Sequence, residues 1–179
     1  MTILAISGSL QRRSANGAAV RAAVDNTDLA TFVEFDALAD IPYFNAELDG
    51  DATPPSVVRL REALASASAV LIATPEYGHS LPGVLKNALD WLVGSGELAN
   101  KPIAIVSASP TTTGGIRAQI ALAQTLLAQS AEIVAMLPIA AVKTKLDPSG
   151  NLVDSTTLRR LRETIIALVE AAQTAVDAV

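Results

Sequence analysis

Five consecutive residues, Ala69-Val70-Leu71-Ile72-Ala73, most narrow what this chain can fold into. None is polar, so the run has no face to offer water. A strand of this kind is buried on both sides, at the centre of a parallel sheet covered by helices. Other strand-length apolar runs lie at residues 2–6, 103–106 and 133–137, and residues 31–35 are β-rich and alternate weakly. Between them, apolar residues recur with helix period. Val57, Leu60, Leu64 and Ala67 mark one face, and Leu81, Leu85, Ala88, Leu89 and Leu92 a second. Ile116, Ile120, Ala123 and Leu127 mark a third. A last helix, opened by Asp154 or Ser155, buries Leu158, Leu161, Ile165, Leu168 and Ala172. With the alanine-rich residues 18–24, strands and helices alternate along the whole chain. The expected fold is α/β: one domain over residues 1–179, three layers around a doubly wound five-stranded parallel sheet.

Composition limits the function. Aromatics make up 3% of the chain, so the core must come from Ala, Val, Leu and Ile. There is no cysteine, which excludes disulfide and thiolate chemistry and fits a cytoplasmic protein. A net charge of −5 argues against general nucleic-acid binding. No apolar stretch reaches the roughly 20 residues of a membrane helix. No basic segment precedes the first apolar run, so neither membrane insertion nor a signal peptide is expected. Two connections are long. Residues 36–53, with Pro42, Asp49, Gly50 and Asp51, read as a surface loop. Its acids are expected to be solvated, because no third metal ligand is near in sequence. Asp147-Pro148-Ser149-Gly150-Asn151 is a turn sequence, expected to form a short excursion or hairpin.

In a doubly wound sheet, ligands bind beyond the carboxyl ends of the strands. Three loops should converge there. The first, residues 7–16, follows a strand and opens a helix, and carries Ser7, Ser9, Arg12, Arg13, Ser14 and Asn16. Unpaired amides and the partial positive charge of a helix start suit a phosphate, and hydroxyls, an amide and guanidiniums add donors. The plain alternative is an ordinary loop with Ser14 as helix N-cap. The second loop, residues 74–83, has Pro75 to restrict the backbone and Gly78 to permit a tight turn. Its amides and Tyr77 suit a planar heterocycle; alternatively it is a simple turn. The third, residues 107–115, is small and polar, as close approach to a flat ring requires, or again a turn.

Gly8-Ser9-Leu10, Ser14-x-Asn16, Pro75-Glu76-Tyr77 and Pro82-Gly83-x-Leu85-Lys86-Asn87-Ala88-Leu89-Asp90-Trp91, in this order, resemble the NADPH-dependent FMN reductase family. The resemblance implies a flavodoxin-like fold with strand order 2-1-3-4-5. It implies bound FMN, with NADPH or NADH as co-substrate. Ser9, Ser14 and Asn16 would hold the FMN phosphate. Gln11 stands where the family often has Arg, and Arg12 or Arg13 would reach the same dianion. Pro75, Glu76, Tyr77 and Gly78 would run along the isoalloxazine, Gly78 replacing a frequent Asn. Ala108, Ser109, Gly114 and Gly115 would border its other side. A hydride would pass from NAD(P)H to FMN and then to a small acceptor — quinone, flavin, azo compound or metal oxyanion — with ping-pong kinetics. Such chemistry needs no catalytic side chain and no metal. A homodimer or homotetramer is implied. The alternative is a flavodoxin-like electron carrier or flavin-responsive binding module without turnover. A receiver domain is disfavoured because Ser7-Gly8-Ser9 replaces its acids. A dinucleotide-binding Rossmann enzyme lacks its Gly-x-Gly-x-x-Gly here. His79 reads as a proton donor or an exposed loop residue. Lys86 and Asp90 read as a surface i,i+4 pair or a subunit contact, Trp91 as core or interface, and Arg117 as an NADPH-phosphate contact or a solvated side chain.

Overall fold

The computed structural model describes residues 1–177. Five strands, β1 (Thr2–Ser7), β2 (Thr31–Phe35), β3 (Ala69–Ala73), β4 (Pro102–Ala108) and β5 (Glu132–Ile139), alternate with five helices. These are α1 (Ala15–Asp25), α2 (Pro55–Ser66), α3 (Gly83–Asp90), α4 (Ile116–Leu127) and α5 (Ser155–Asp177). The sheet is parallel throughout, in the order β2-β1-β3-β4-β5. This is the expected doubly wound, flavodoxin-like architecture, and β3 is buried at every residue.

Alternation along the strands splits the core into two layers. Leu4, Ile6, Val70, Ile72, Ile103 and Ile105 face α2, α3 and α4. Ile3, Ala5, Leu71, Ala73, Ala104 and Val106 face α1 and α5. The second layer is rich in alanine on both α1 and the sheet, so α1 can sit close to the strand ends that carry the first loop.

Three local expectations need correction. In α4 the buried residues are Ala118, Gln119, Leu122 and Leu126. Ile120 and Leu127, placed inward by periodicity, are 50% and 59% exposed. The sequence of α4 carries two apolar stripes, and its rotation is fixed elsewhere. Glu76 accepts hydrogen bonds from the amides of Arg117 and Ala118, and Gly115 packs on Ser107, where a Cβ would lie 3.0 Å from the serine side chain. Helix α3 spans Gly83–Asp90, so Leu81, counted on its apolar face, lies outside it in the second loop, where the residue before Pro82 is pushed out of helical conformation. Asp49 is not simply solvated: it accepts from Arg61 at 2.9 Å, an arginine that also lies 3.7 Å from Glu97. The excursion after β5 is a hairpin, with Leu146 bridging Leu152 and the Asp147 amide donating to Asn151.

Candidate functional site

The three loops meet at the carboxyl edge of the sheet because their first residues extend its ladder. The Gly8 amide donates to the Ala73 carbonyl at 2.8 Å, the Thr74 amide to Val106 at 2.8 Å, and the Ser109 amide to Ile139 at 3.0 Å. Gly8 is closely packed: a Cβ there would lie 3.1 Å from the end of the Leu85 side chain, which would have to give by a few tenths of an ångström.

In the first loop Ser14 is the N-cap of α1. Its hydroxyl oxygen accepts from the amides of Asn16 and Gly17 at 3.1 and 3.4 Å, and its own proton has no acceptor among the described residues. The Ser9 amide donates to the Ser7 hydroxyl at 3.4 Å and the Gln11 amide to the Ser9 hydroxyl at 3.4 Å. The amides of Leu10, Arg12 and Arg13 have no acceptor among the described residues. Arg12 is exposed, and Arg13 donates to the Pro148 carbonyl at 3.1 Å, linking this loop to the hairpin after β5. In that hairpin the Asn151 amide, donating to Asp147, holds its carboxyl below the usual carboxylate range, with further donors at Asn151, Ser149 and Gly150.

Asn16 does what the sequence did not announce. Its Nδ2 donates to the Ala108 carbonyl at 3.1 Å and its Oδ1 accepts from the Ala108 amide at 2.9 Å. One side-chain amide thus closes both backbone groups at the end of β4 and ties the first loop to the third. Only a second Nδ2 proton remains for a ligand.

The second loop is a two-residue hairpin. Tyr77 and Ser80 exchange amide–carbonyl bonds at 3.1 Å in both directions. Gly78 (φ 55°) and His79 (φ 62°) sit between them, the pair of positive φ values that a type I′ turn requires. The Tyr77 amide is spent on the turn, whereas those of Glu76, Gly78 and His79 have no acceptor among the described residues. Pro75 is buried, Tyr77 half exposed and His79 exposed. Glu76 caps α4 at 3.1 and 3.4 Å and lies 3.7 Å from the Arg117 guanidinium, so Arg117 has a partner within the chain.

In the third loop Ser109 is buried. Its hydroxyl pairs with Thr111 at 2.9 Å and its carbonyl accepts from Val142. Gly114 and Gly115 have φ of 65° and 85°, and a Cβ on Gly114 would come within 3.0 Å of the Ala140 amide. They permit close packing of the loop on β4 and β5. Lys86 and Asp90 form an i,i+4 ion pair on α3, and Trp91 is core.

The arrangement can hold a phosphate monoester joined to a planar group. Loop one supplies unpaired amides, a free hydroxyl proton and two guanidiniums, and the turn at 77–80 supplies a flat wall edged with unpaired amides. FMN fits this donor set: every one of these groups donates, as a dianion requires.

Comparison with known proteins agrees. Residues 1–144 match the NADPH-dependent FMN reductase family. An NAD(P)H-dependent FMN reductase of Pseudomonas aeruginosa is 35% identical over 170 residues, 93% of this chain and 92% of that protein. A quinone reductase of Escherichia coli is 33% identical over 180 residues, 97% of this chain and 96% of its own. The structure of FerB, a flavoenzyme NAD(P)H:(acceptor) oxidoreductase from Paracoccus denitrificans, superposes with a TM-score of 0.82 at 29% identity, over 97% of each chain. Sequence, fold and donor set converge on one assignment: this oxidoreductase belongs to the NADPH-dependent FMN reductase family and works with FMN and NAD(P)H.

Proposed function

We propose that the chain, as one domain, binds FMN across the three loops and reduces small acceptors by a ping-pong mechanism. Quinones, flavins, azo compounds and metal oxyanions are the acceptor class. Ser9, Gln11, Arg12, Arg13 and Ser14 surround the phosphate, with the amides of Leu10, Arg12 and Arg13 as donors. Asn16 gives its remaining proton and, more importantly, holds the loop in shape. The ring lies along Pro75, Glu76, Tyr77 and Gly78, bordered by Ala108, Ser109, Gly114 and Gly115. FMN, when bound, supplies two-electron hydride chemistry. The chain's own part is to bind it, orient it and leave one face open for NAD(P)H and then the acceptor. The observation that carries this reading is the set of loop-one amides without a protein acceptor beside two exposed or half-engaged arginines. A homodimer or homotetramer and a cytoplasmic location complete the proposal. No helix among the described residues is long and apolar enough to cross a membrane.

The test is an absorption spectrum of the purified protein, followed by NADPH oxidation with menadione. Bound flavin with steady turnover is expected. A protein that takes up no FMN refutes the site. One that holds FMN but turns over negligibly without a partner reductase is an electron carrier instead.

A further inference from the structure

Lys101 stands one residue before β4, at the amino edge of the sheet and so at the end away from the ligand loops. Its backbone is tied down. The Lys101 amide donates to the Leu98 carbonyl at 3.0 Å, its carbonyl accepts from the Glu132 amide at 3.0 Å, and the Asn100 amide donates to the Ser130 carbonyl at 2.8 Å. The side chain reaches across to the residues before β3, where Nζ donates to the Ala67 carbonyl at 2.7 Å. The next amide in that segment, Ser68, donates to the Thr2 carbonyl at 2.9 Å. Both ends of the contact are therefore held by the edge of the sheet.

The chain's other lysines are placed differently. Lys86 is paired with Asp90. Lys145 donates to the Thr157 hydroxyl at 2.9 Å and lies 3.8 Å from Asp154. Lys143 is exposed and has no ion-pair partner among the described residues. Lys101 is partly buried, with a neutral carbonyl as its partner and no carboxylate of the described residues within ion-pair distance. Burial holds its pKa below the ordinary lysine value. A desolvated lysine without a counter-ion is the kind that acts as a nucleophile. Lys101 also lines a groove of about 500 Å³, within the usual size range of small-molecule sites. Ser68, Pro102, Ala172 and Ala175 are among its other walls, so small side chains leave room beside the amine. No acidic residue among those described lines it, so an anionic reagent meets no repulsion there.

We propose that Lys101 is an acylation site, modified from this groove by a small acyl phosphate. The amine nitrogen attacks the acyl carbon and a C–N bond forms. The bond from that carbon to the phosphate oxygen breaks, phosphate leaves with the electron pair, and the amine proton passes to solvent. The neutral amine can keep one N–H on the Ala67 carbonyl while its lone pair attacks, and the amide product retains one N–H for the same carbonyl. The acyl group then occupies the space beside Ala172 and Ala175. The inference is independent of the function proposed above, because neither the amine nor the groove shares a residue with the crevice assigned to FMN.

The test treats the purified protein with acetyl phosphate near neutral pH and follows acetylation of each lysine over time by peptide mass spectrometry. Lys101 is expected to react at least about 3-fold faster than Lys143, because a lowered pKa leaves more of the amine unprotonated. Exposure alone gives the opposite order, since Lys143 is the freer side chain. In urea, where burial and groove are both lost, the two rates should converge. Ala175→Leu narrows the groove at a helix position that accepts leucine well, and should slow Lys101 several-fold while leaving Lys143 unchanged. A folded protein in which Lys143 reacts as fast as Lys101 overturns the assignment. So does a lead for Lys101 that persists in urea, which would trace it to the neighbouring sequence. An unchanged Lys101 rate in folded Ala175→Leu, checked by circular dichroism, overturns the entry of the reagent through the groove.

Discussion

Replacing Asn16 by Ala tests the idea that one side chain ties the ligand loops together. Asn16 is 3% exposed and Ala108, its partner, 5%. The substitution removes the bonds of 3.1 and 2.9 Å and leaves an amide and a carbonyl of Ala108 unpaired. A buried polar group left unpaired costs about 1–3 kcal/mol, so two cost about 2–6. Alanine's better helix propensity returns up to about 0.7 kcal/mol in the first turn of α1. Water entering the vacated space would satisfy part of Ala108, which favours the lower half of the range. The expected loss is therefore about 2–4 kcal/mol, a large share of a total stability of about 5–15. With a urea m-value of about 2 kcal/mol/M, the unfolding midpoint should fall by about 1–2 M. Asn16→Leu separates the causes: it refills the volume yet restores neither bond, and should lose as much as Asn16→Ala. Both variants should also bind FMN more weakly in a fluorescence titration, because loop one is no longer held against loop three. An Asn16→Ala midpoint within about 0.2 M of wild type would refute the reasoning, since it would mean that the Ala108 groups need no side-chain partner.

Two further outcomes follow from the same kind of local chemistry. Glu76→Ala strips the amides of Arg117 and Ala118 of their acceptor and should cost about 0.5–2 kcal/mol, the usual value of a helix N-cap, measured by thermal melting. Glu76→Gln keeps an acceptor oxygen and should retain most of that stability; equal losses in the two variants would show that charge, not the hydrogen bonds, carries the effect. Asp154 is held below the usual carboxylate range, first by the Thr157 hydroxyl, then by the Thr157 amide and by Lys145. Its folded pKa is lower than its unfolded one, so its contribution is complete above the unfolded value and disappears as pH falls through the folded value. The Tm of the wild type should therefore decline on acidification below the ordinary carboxylate range, and Asp154→Asn should flatten part of that decline; an identical acid limb in the variant would count against the assignment.

What the sequence could reveal depended on the range of the interaction. The continuous apolar run set the bounds of β3 at Ala69–Ala73, and the β-rich, weakly alternating stretch those of β2 at Thr31–Phe35, because each is decided by neighbouring residues. The face of α4 was misread because both stripes of Ile116–Leu127 are apolar, and the choice between them is made by Glu76, some forty residues upstream in the chain. The convergence of the three loops at the carboxyl edge of the sheet was legible, since topology places them. The spending of their polar atoms was not. Asn16 and Ala108 are 92 residues apart, and Asn87 reaches back to Phe44 across 43. No local pattern distinguishes an asparagine that will meet a phosphate from one that will meet a carbonyl.

On the proposed reading, the departures at Gln11 and Gly78 are expected to leave the backbone donors of both loops in place. Gly78 lies in a turn whose two central residues both have positive φ, at 55° and 62°. Glycine and asparagine are the residues that enter this region most readily, so the asparagine frequent in the family and the glycine here satisfy the same backbone demand. The turn's amides without an acceptor among the described residues are present with either residue. Gln11 is exposed, and its amide is occupied by the Ser9 hydroxyl; on the proposed reading, Arg12 and Arg13 would carry the charge that a family arginine brings. Polar side chains with fixed partners, Asn16, Glu76 and Asn87, hold the frame, and the groups left over for a ligand belong mainly to the backbone. A site made this way tolerates side-chain exchange around its rim as long as the frame stays tied, because a backbone donor is the same whichever residue carries it.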